Sequence, residues 1–133
     1  MAKNEFALSA IGQIAVNVHD IERAVAFYRD KLGMKLLFRA PPDLAFFDCD
    51  GIRLMLSPPA KPEFDHPSSI IYFKVDEIHE AARILIERGV QFEEQPAFVA
   101  NMGSYDLWIG AFRDSENNLL AMMSEVTKSE PPA

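Results

Sequence analysis

The 133 residues predict an α+β fold in which two βαβββ modules share a curved mixed sheet, with the helices outside. Three observations lead there. The stretch Val16 to Tyr28 recurs in altered form at Phe73 to Leu85, so that Val18 falls on Val75, Ile21 on Ile78, Ala24 on Ala81 and Tyr28 on Leu85. In both copies a hydrophobic period of two gives way to a helical period. A Pro-rich stretch, with Pro58, Pro59, Pro62 and Pro67, separates the copies.

The first strand is read from Ile14, Val16 and Val18, which alternate with Gln13, Ala15 and Asn17 and present one face to a core. Asp20 is a natural N-cap for the helix that follows, whose inner stripe is Ile21, Ala24, Val25, Tyr28 and Leu32. Gly33 stands where a left-handed C-cap is needed. Three strands follow, at Lys35 to Arg39, Leu44 to Asp48 and Ile52 to Ser57. Asp50-Gly51 joins the last two, because a type I′ hairpin turn needs positive φ at both central residues.

The second half repeats the order. Ile71, Phe73 and Val75 alternate with Ile70, Tyr72 and Lys74. A helix beginning at Asp76 or Glu77 turns Ile78, Ala81, Ala82 and Leu85 inward, and Gly89 ends it. Strands are then expected at Gln91 to Glu94, about Asp106 to Arg113, and Leu119 to Ser124, with Asp114 to Asn118 as the last turn. Neither half is large enough to bury its sheet alone, so the two are expected to pack together with a concave ligand site.

Length sets one domain, residues 1–127, with modules at about 9–57 and 68–125, a linker at 58–67 and a disordered tail at 128–133. Its 49% hydrophobic and 25% charged content is that of an ordinary globular protein. The formal net charge of −7 argues against nucleic acid, which needs a basic face. Cys49 is the single cysteine, which excludes an internal disulfide and suits a reducing cytoplasm. Neither a signal peptide nor a membrane span is read.

Gln13 to Met34 (Gln-Ile-Ala-Val-Asn-Val-His-Asp-Ile-Glu-Arg-Ala-Val-Ala-Phe-Tyr-Arg-Asp-Lys-Leu-Gly-Met) resembles the opening signature of the vicinal oxygen chelate superfamily. That superfamily includes glyoxalase I, bleomycin-resistance proteins, extradiol dioxygenases and methylmalonyl-CoA epimerases. Phe112 to Met123 is similar to a worn form of its Asp-Pro-Asp-Gly-Asn-x-x-Glu-Leu ending. The resemblance covers about Ser9 to Glu125. It implies the glyoxalase/bleomycin-resistance/dioxygenase fold and a homodimer, and leaves the chemistry open, because one fold hosts many functions.

In metal-using members, the resemblance places four ligands on the first and last strands of each half. Here they fall on Gln13, on or next to Leu54, on Ile70 and on Ala121. A divalent ion needs several nitrogen or oxygen donors, and one amide among apolar side chains does not supply them. No metal or other cofactor is therefore expected.

Gln13 is read either as a hydrogen-bonding group on the cavity floor or as a strand polar group paired to a neighbour. Asn17, Tyr72 and Lys74 share its predicted face. Arg53 lies opposite Asp48 across the hairpin, which predicts a salt bridge; with the opposite strand parity, Arg53 and Met55 face the cavity and Arg53 suits an anionic ligand. Phe46, Phe47, Trp108 and Phe112 read as core, with Phe47 and Trp108 as a possible apolar wall. Phe98, Met102 and Tyr105 are expected in a flexible lid. His19 and His79 read as solvent-facing, and His66 as the one histidine able to reach a cavity rim. Glu93, Glu94, Asp114 and Glu116 read as surface charge. No nucleophile elbow, phosphate loop or Cys/His pair is present, so catalytic residues are unassigned.

The preferred expectation is a metal-independent binder of a small, partly apolar or aromatic molecule, such as a drug-sequestering protein. The alternatives are a lyase, isomerase or dioxygenase with displaced metal ligands or metal-free acid–base chemistry, and an interaction module without a small ligand.

Overall fold

A computed structural model describes residues 6–128. The expected tail, apart from Lys128, lies outside the described residues. In the first module β1 (Gln13–Asn17) runs parallel to β4 (Ile52–Ser57), and β3 (Leu44–Cys49) pairs antiparallel with both β4 and β2 (Lys35–Ala40), giving the order β1-β4-β3-β2. The second module repeats this wiring as β5-β8-β7-β6, from β5 (Ile71–Lys74), β6 (Phe92–Asn101), β7 (Tyr105–Arg113) and β8 (Leu119–Thr127). The repeat in the sequence is thus a repeat of topology.

Local signals place the elements as expected. Asp20 caps α1 (Ile21–Ala26), its side chain accepting the Arg23 backbone N–H at 3.0 Å. That helix continues as a wider π-type turn over Phe27–Lys31, closed by Leu32 N–H donating to the Phe27 carbonyl. The second helix, α2 (Ile78–Glu87), buries Ile78, Ala82 and Leu85. At the β3–β4 turn, Asp50 and Gly51 have φ of 51° and 89°, the left-handed pair that the hairpin requires.

The largest departure is β6, which continues through Asn101 instead of stopping at Glu94. Its pairing with β7 slips at three places between Phe92 and Ala100. Each bulge breaks the period of two, which hides the strand from pattern reading. Gly110 permits the approach, because a Cβ there would lie 3.2 Å from the Pro96 nitrogen. Phe98 and Tyr105 therefore stand in paired strands, and only Met102 of the expected lid lies in the turn between them.

The two sheets are joined through a shared core rather than a common ladder. Val16, Leu54, Leu56 and Phe47 from the first sheet cluster with Phe112, Leu120 and Met122 from the second, with Tyr28 among them. The β7–β8 loop of the second module then clasps α1 of the first. Asp114, only 6% exposed, accepts the Tyr28 hydroxyl at 2.7 Å and the backbone N–H groups of Glu116 and Asn118 at 2.8 Å each. The Glu116 side chain, 1% exposed, accepts the N–H groups of His19 and Asp20 at 2.9 Å and the Arg23 guanidinium at 2.7 Å. These two carboxylates are not surface charge, as the sequence suggested. They satisfy buried and helix-terminal donors of the other module.

Candidate functional site

Burial along β1 separates its two faces. Val16 packs into the core, whereas Gln13 and Ala15 are exposed on the outer face, away from the helices. On β4, Leu54 (1% exposed) and Leu56 are core residues, so Arg53 and Met55 share the outer face with Gln13, which registers with Arg53. The expected Asp48–Arg53 salt bridge does not form, although the two are cross-strand partners. Asp48 instead accepts the Gly51 N–H of the hairpin turn at 3.2 Å. The opposite parity holds.

Arg53 is the centre of this face. Its Nε donates to Gln13 Oε1 at 2.8 Å, and its guanidinium carbon sits 5.6 Å from the centroid of the Phe46 ring. Phe46 in turn stacks on Phe38 of β2, centroids 4.6 Å apart at 24°. Gln13 completes its contacts by approaching the Met55 sulfur at 3.7 Å. Phe38, Phe46 and Met55 were not ranked as ligand-binding from the sequence. Their facing is fixed by the register of β4 with β1, which no local pattern gives.

The outer face of the second module is more apolar. Tyr72 registers with Ala121, and Ala121 with Ala111, so two small buried side chains form a floor beside the exposed Ile70 and Tyr72. At its far end Glu125 pairs with Lys74 at 2.7 Å, and Lys74, followed by the nearby Tyr105 hydroxyl, holds the Glu125 carboxyl below its ordinary pKa.

Of the residues singled out by sequence, Gln13, Asn17, Ile70, Tyr72, Tyr105 and Ala121 lie on these outer faces, divided between the two sheets. Phe47, Leu54 and Trp108 do not; they point to the helix side. Trp108 meets His79 of α2 edge-on at 5.1 Å and Phe98 at 6.1 Å, so His79 covers an indole rather than standing alone in solvent. Phe46 and Phe47 are adjacent apolar residues facing opposite ways, which removes the alternation that would have told them apart. Asn17 is committed structurally, its side-chain amide donating to the Phe64 and His66 carbonyls at 2.8 and 3.1 Å.

The other two histidines lie together elsewhere. His19 and His66 line a polar cavity of about 510 Å³ between the linker and the β7–β8 loop. His19 Nε2 lies 2.8 Å from Asp65 Oδ1, and His66 Nδ1 is 3.0 Å from the Pro67 carbonyl oxygen.

The donor set does not fit the metal centre that the family resemblance would imply. The one amide oxygen in position, on Gln13, is taken by a guanidinium whose charge opposes a cation. Its counterparts Ile70 and Ala121 have no donor atoms in their side chains, and Leu54 faces the core. Among the described residues no three His, Cys, Asp or Glu side chains converge in a way that could hold a metal ion.

A model of the Glyoxalase/Bleomycin resistance protein/Dioxygenase superfamily matches residues 10–127. Solved structures share the fold. A superfamily member from Sphaerobacter thermophilus superposes with a TM-score of 0.75 at 23% identity, covering 89% of this chain and 98% of its own. The lactoylglutathione lyase of Agrobacterium tumefaciens gives 0.68 at 23% identity, covering 88% and 94%. An antibiotic-binding protein from Streptomyces sp. CB03234 gives 0.74 at 22% identity, covering 91% and 99%. At these identities the likeness is one of fold. Among curated proteins, none matches the sequence significantly.

Proposed function

This chain belongs to the Glyoxalase/Bleomycin resistance protein/Dioxygenase superfamily, and from that premise we propose that it is a metal-independent binder of a flat, partly aromatic molecule carrying an anionic group. One observation carries the reading: Arg53, stacked over Phe46 and steadied by Gln13, has no carboxylate partner among the described residues. Its Nε is used, and both terminal nitrogens are left to bond a carboxylate, phosphate or sulfonate in fork geometry. Phe38, 48% exposed, extends the aromatic surface on which a ring can lie. The exposed Ile70 and Tyr72 of the other sheet supply apolar area. A cytoplasmic homodimer that brings one copy's Arg53 face toward another's Tyr72 face is part of the proposal. An antibiotic-binding protein of this fold makes such sequestration a reasonable role.

The test is a thermal-shift and calorimetric screen with aromatic carboxylates, 2-naphthoate being the first probe. Naphthoate raises the melting temperature of the wild type, and Arg53→Ala weakens its binding roughly tenfold or more. Saturable metal binding at Gln13 in a sample that turns over a glyoxalase-type substrate would overturn the proposal.

A metal-free lyase or isomerase is the second reading. It rests on the His19–Asp65 pair beside His66 in the polar cavity, a carboxylate-oriented imidazole of the kind that general base catalysis uses. Turnover of any carbonyl substrate that is abolished by His19→Ala and kept by Arg53→Ala would favour it over the first.

A further inference from the structure

A separate cavity of about 310 Å³ lies between the modules on the helix side of the sheets. Its walls come from both modules: Met34 after the first helix, Phe73 on β5, Ala81 and Ile84 on α2, and Phe112 and Met122 on β7 and β8. Arg88, at the C-terminal end of α2, is the one charged residue that lines it. The sequence repeat explains why the space is there. In the first module Tyr28 fills the position under its sheet and reaches Asp114, whereas its repeat partner Leu85 is smaller and has no such reach. Apolar walls around an unfilled volume forfeit dispersion contacts, which an apolar guest would restore.

The one charge on its lining is cationic, in a chain whose formal net charge is −7. Arg88 Nη1 donates to the Lys31 carbonyl at 3.1 Å, which steadies the guanidinium, while the Lys31 ammonium itself lies over the Phe27 ring, 5.7 Å from its centroid. The carboxylates next to them are engaged elsewhere: Asp30 is paired with Arg29, and Glu87 with Arg83. Neither Arg88 nor Lys31 forms an ion pair among the described residues.

We propose that this inter-module cavity is a second ligand site, for a small amphipathic carboxylate. The apolar tail occupies the space between Met34, Phe73 and Phe112, and the carboxylate meets Arg88. The site shares no residue with the Arg53 face, so the two proposals stand or fall separately.

Octanoate is the probe, with 1-octanol and octylammonium as neutral and cationic counterparts, read by methionine methyl NMR. Octanoate shifts the Met34 and Met122 methyl resonances saturably and leaves Met55, beside Gln13, unmoved. Octylammonium gives no saturable shift. Arg88→Ala weakens octanoate binding roughly tenfold and leaves 1-octanol binding unchanged. Ala81→Phe fills the cavity and removes both; should that variant not fold, the Arg88→Ala comparison decides alone. Octanoate that shifts Met55 instead, that binds the Arg88→Ala protein as tightly as wild type, or that is matched by octylammonium would overturn the proposal.

Discussion

Tyr28, on the first module's helix, donates its buried hydroxyl to Asp114, on the second module's closing loop, at 2.7 Å. Burial, and then the Asp114 charge, push the phenol well above its ordinary pKa, so it stays protonated, and a donor, at neutral pH. Asp114 also receives the Asn118 side-chain amide at 2.9 Å, and that same amide donates to the Asn17 carbonyl. One carboxylate thereby ties the first strand, the first helix and the last turn together.

Removing that tie lowers stability without touching the outer faces. Tyr28→Phe costs about 1–2 kcal/mol, and Asp114→Ala, which strands several buried donors, about 3 kcal/mol or more. Urea denaturation of both variants and of the double variant measures the coupling, expected at about 1 kcal/mol. Full additivity would mean that the bond contributes nothing.

Glu116 makes stability depend on acid pH. Burial alone would raise its pKa, but hydrogen bonds from Arg23, the Asp20 and His19 N–H groups and Ser115 outweigh this and hold it at about 2. A carboxyl whose folded pKa is depressed contributes stability above its unfolded pKa and loses it as pH falls through the folded value. The loss is therefore spread over about pH 4.5 to 2, with a magnitude of about 1–2 kcal/mol once solvent screening at the exposed Arg23 is allowed for. Glu116→Gln flattens the stability curve across this window and lowers stability at neutral pH. Parallel curves for variant and wild type would show that Glu116 is not the group responsible.

Phe46 and Phe47 separate binding from folding. Phe47→Leu, in the core, costs about 1–2 kcal/mol and leaves naphthoate affinity unchanged. Phe46→Leu removes the ring beneath Arg53 and weakens naphthoate several-fold, roughly the value of a cation–π contact, with a smaller effect on stability. Calorimetric titration beside thermal melts of both proteins checks the pair; equal losses of affinity would contradict the assignment of faces.

Titration with zinc or nickel gives no saturable one-to-one binding at the outer face. Gln13→Glu does not create a site either, because the new carboxylate pairs with Arg53. Shifts of the Met55 methyl resonance on adding zinc would show the opposite.

Strand and helix order, the Asp20 cap, the Asp50-Gly51 turn and the glycines ending both helices were legible in the chain. Each depends on residues a few positions apart, and side-chain period and turn stereochemistry act at that range. The family resemblance likewise singled out Gln13, Ile70 and Ala121, which lie on the outer faces, and of the three only Gln13 carries a side-chain donor atom. Where a strand carries apolar residues on both faces, as at Phe46-Phe47, or is broken by bulges, as in β6, the pattern is silent.

Tertiary structure decided the rest. The parity of Arg53 follows from register with β1, forty residues away in the chain. Asp114 and Glu116 look like solvated loop charges until α1 arrives from 86 or more residues earlier to supply their donors. The Arg88 cavity is the volume left when a leucine stands where the other module has a tyrosine. By itself the sequence determined which local elements form and which of the family's ligand positions carry apolar side chains. Packing two imperfect copies against each other determined which charges are buried, which cations are left without a carboxylate partner among the described residues and where space remains, because those depend on distances that no local pattern encodes.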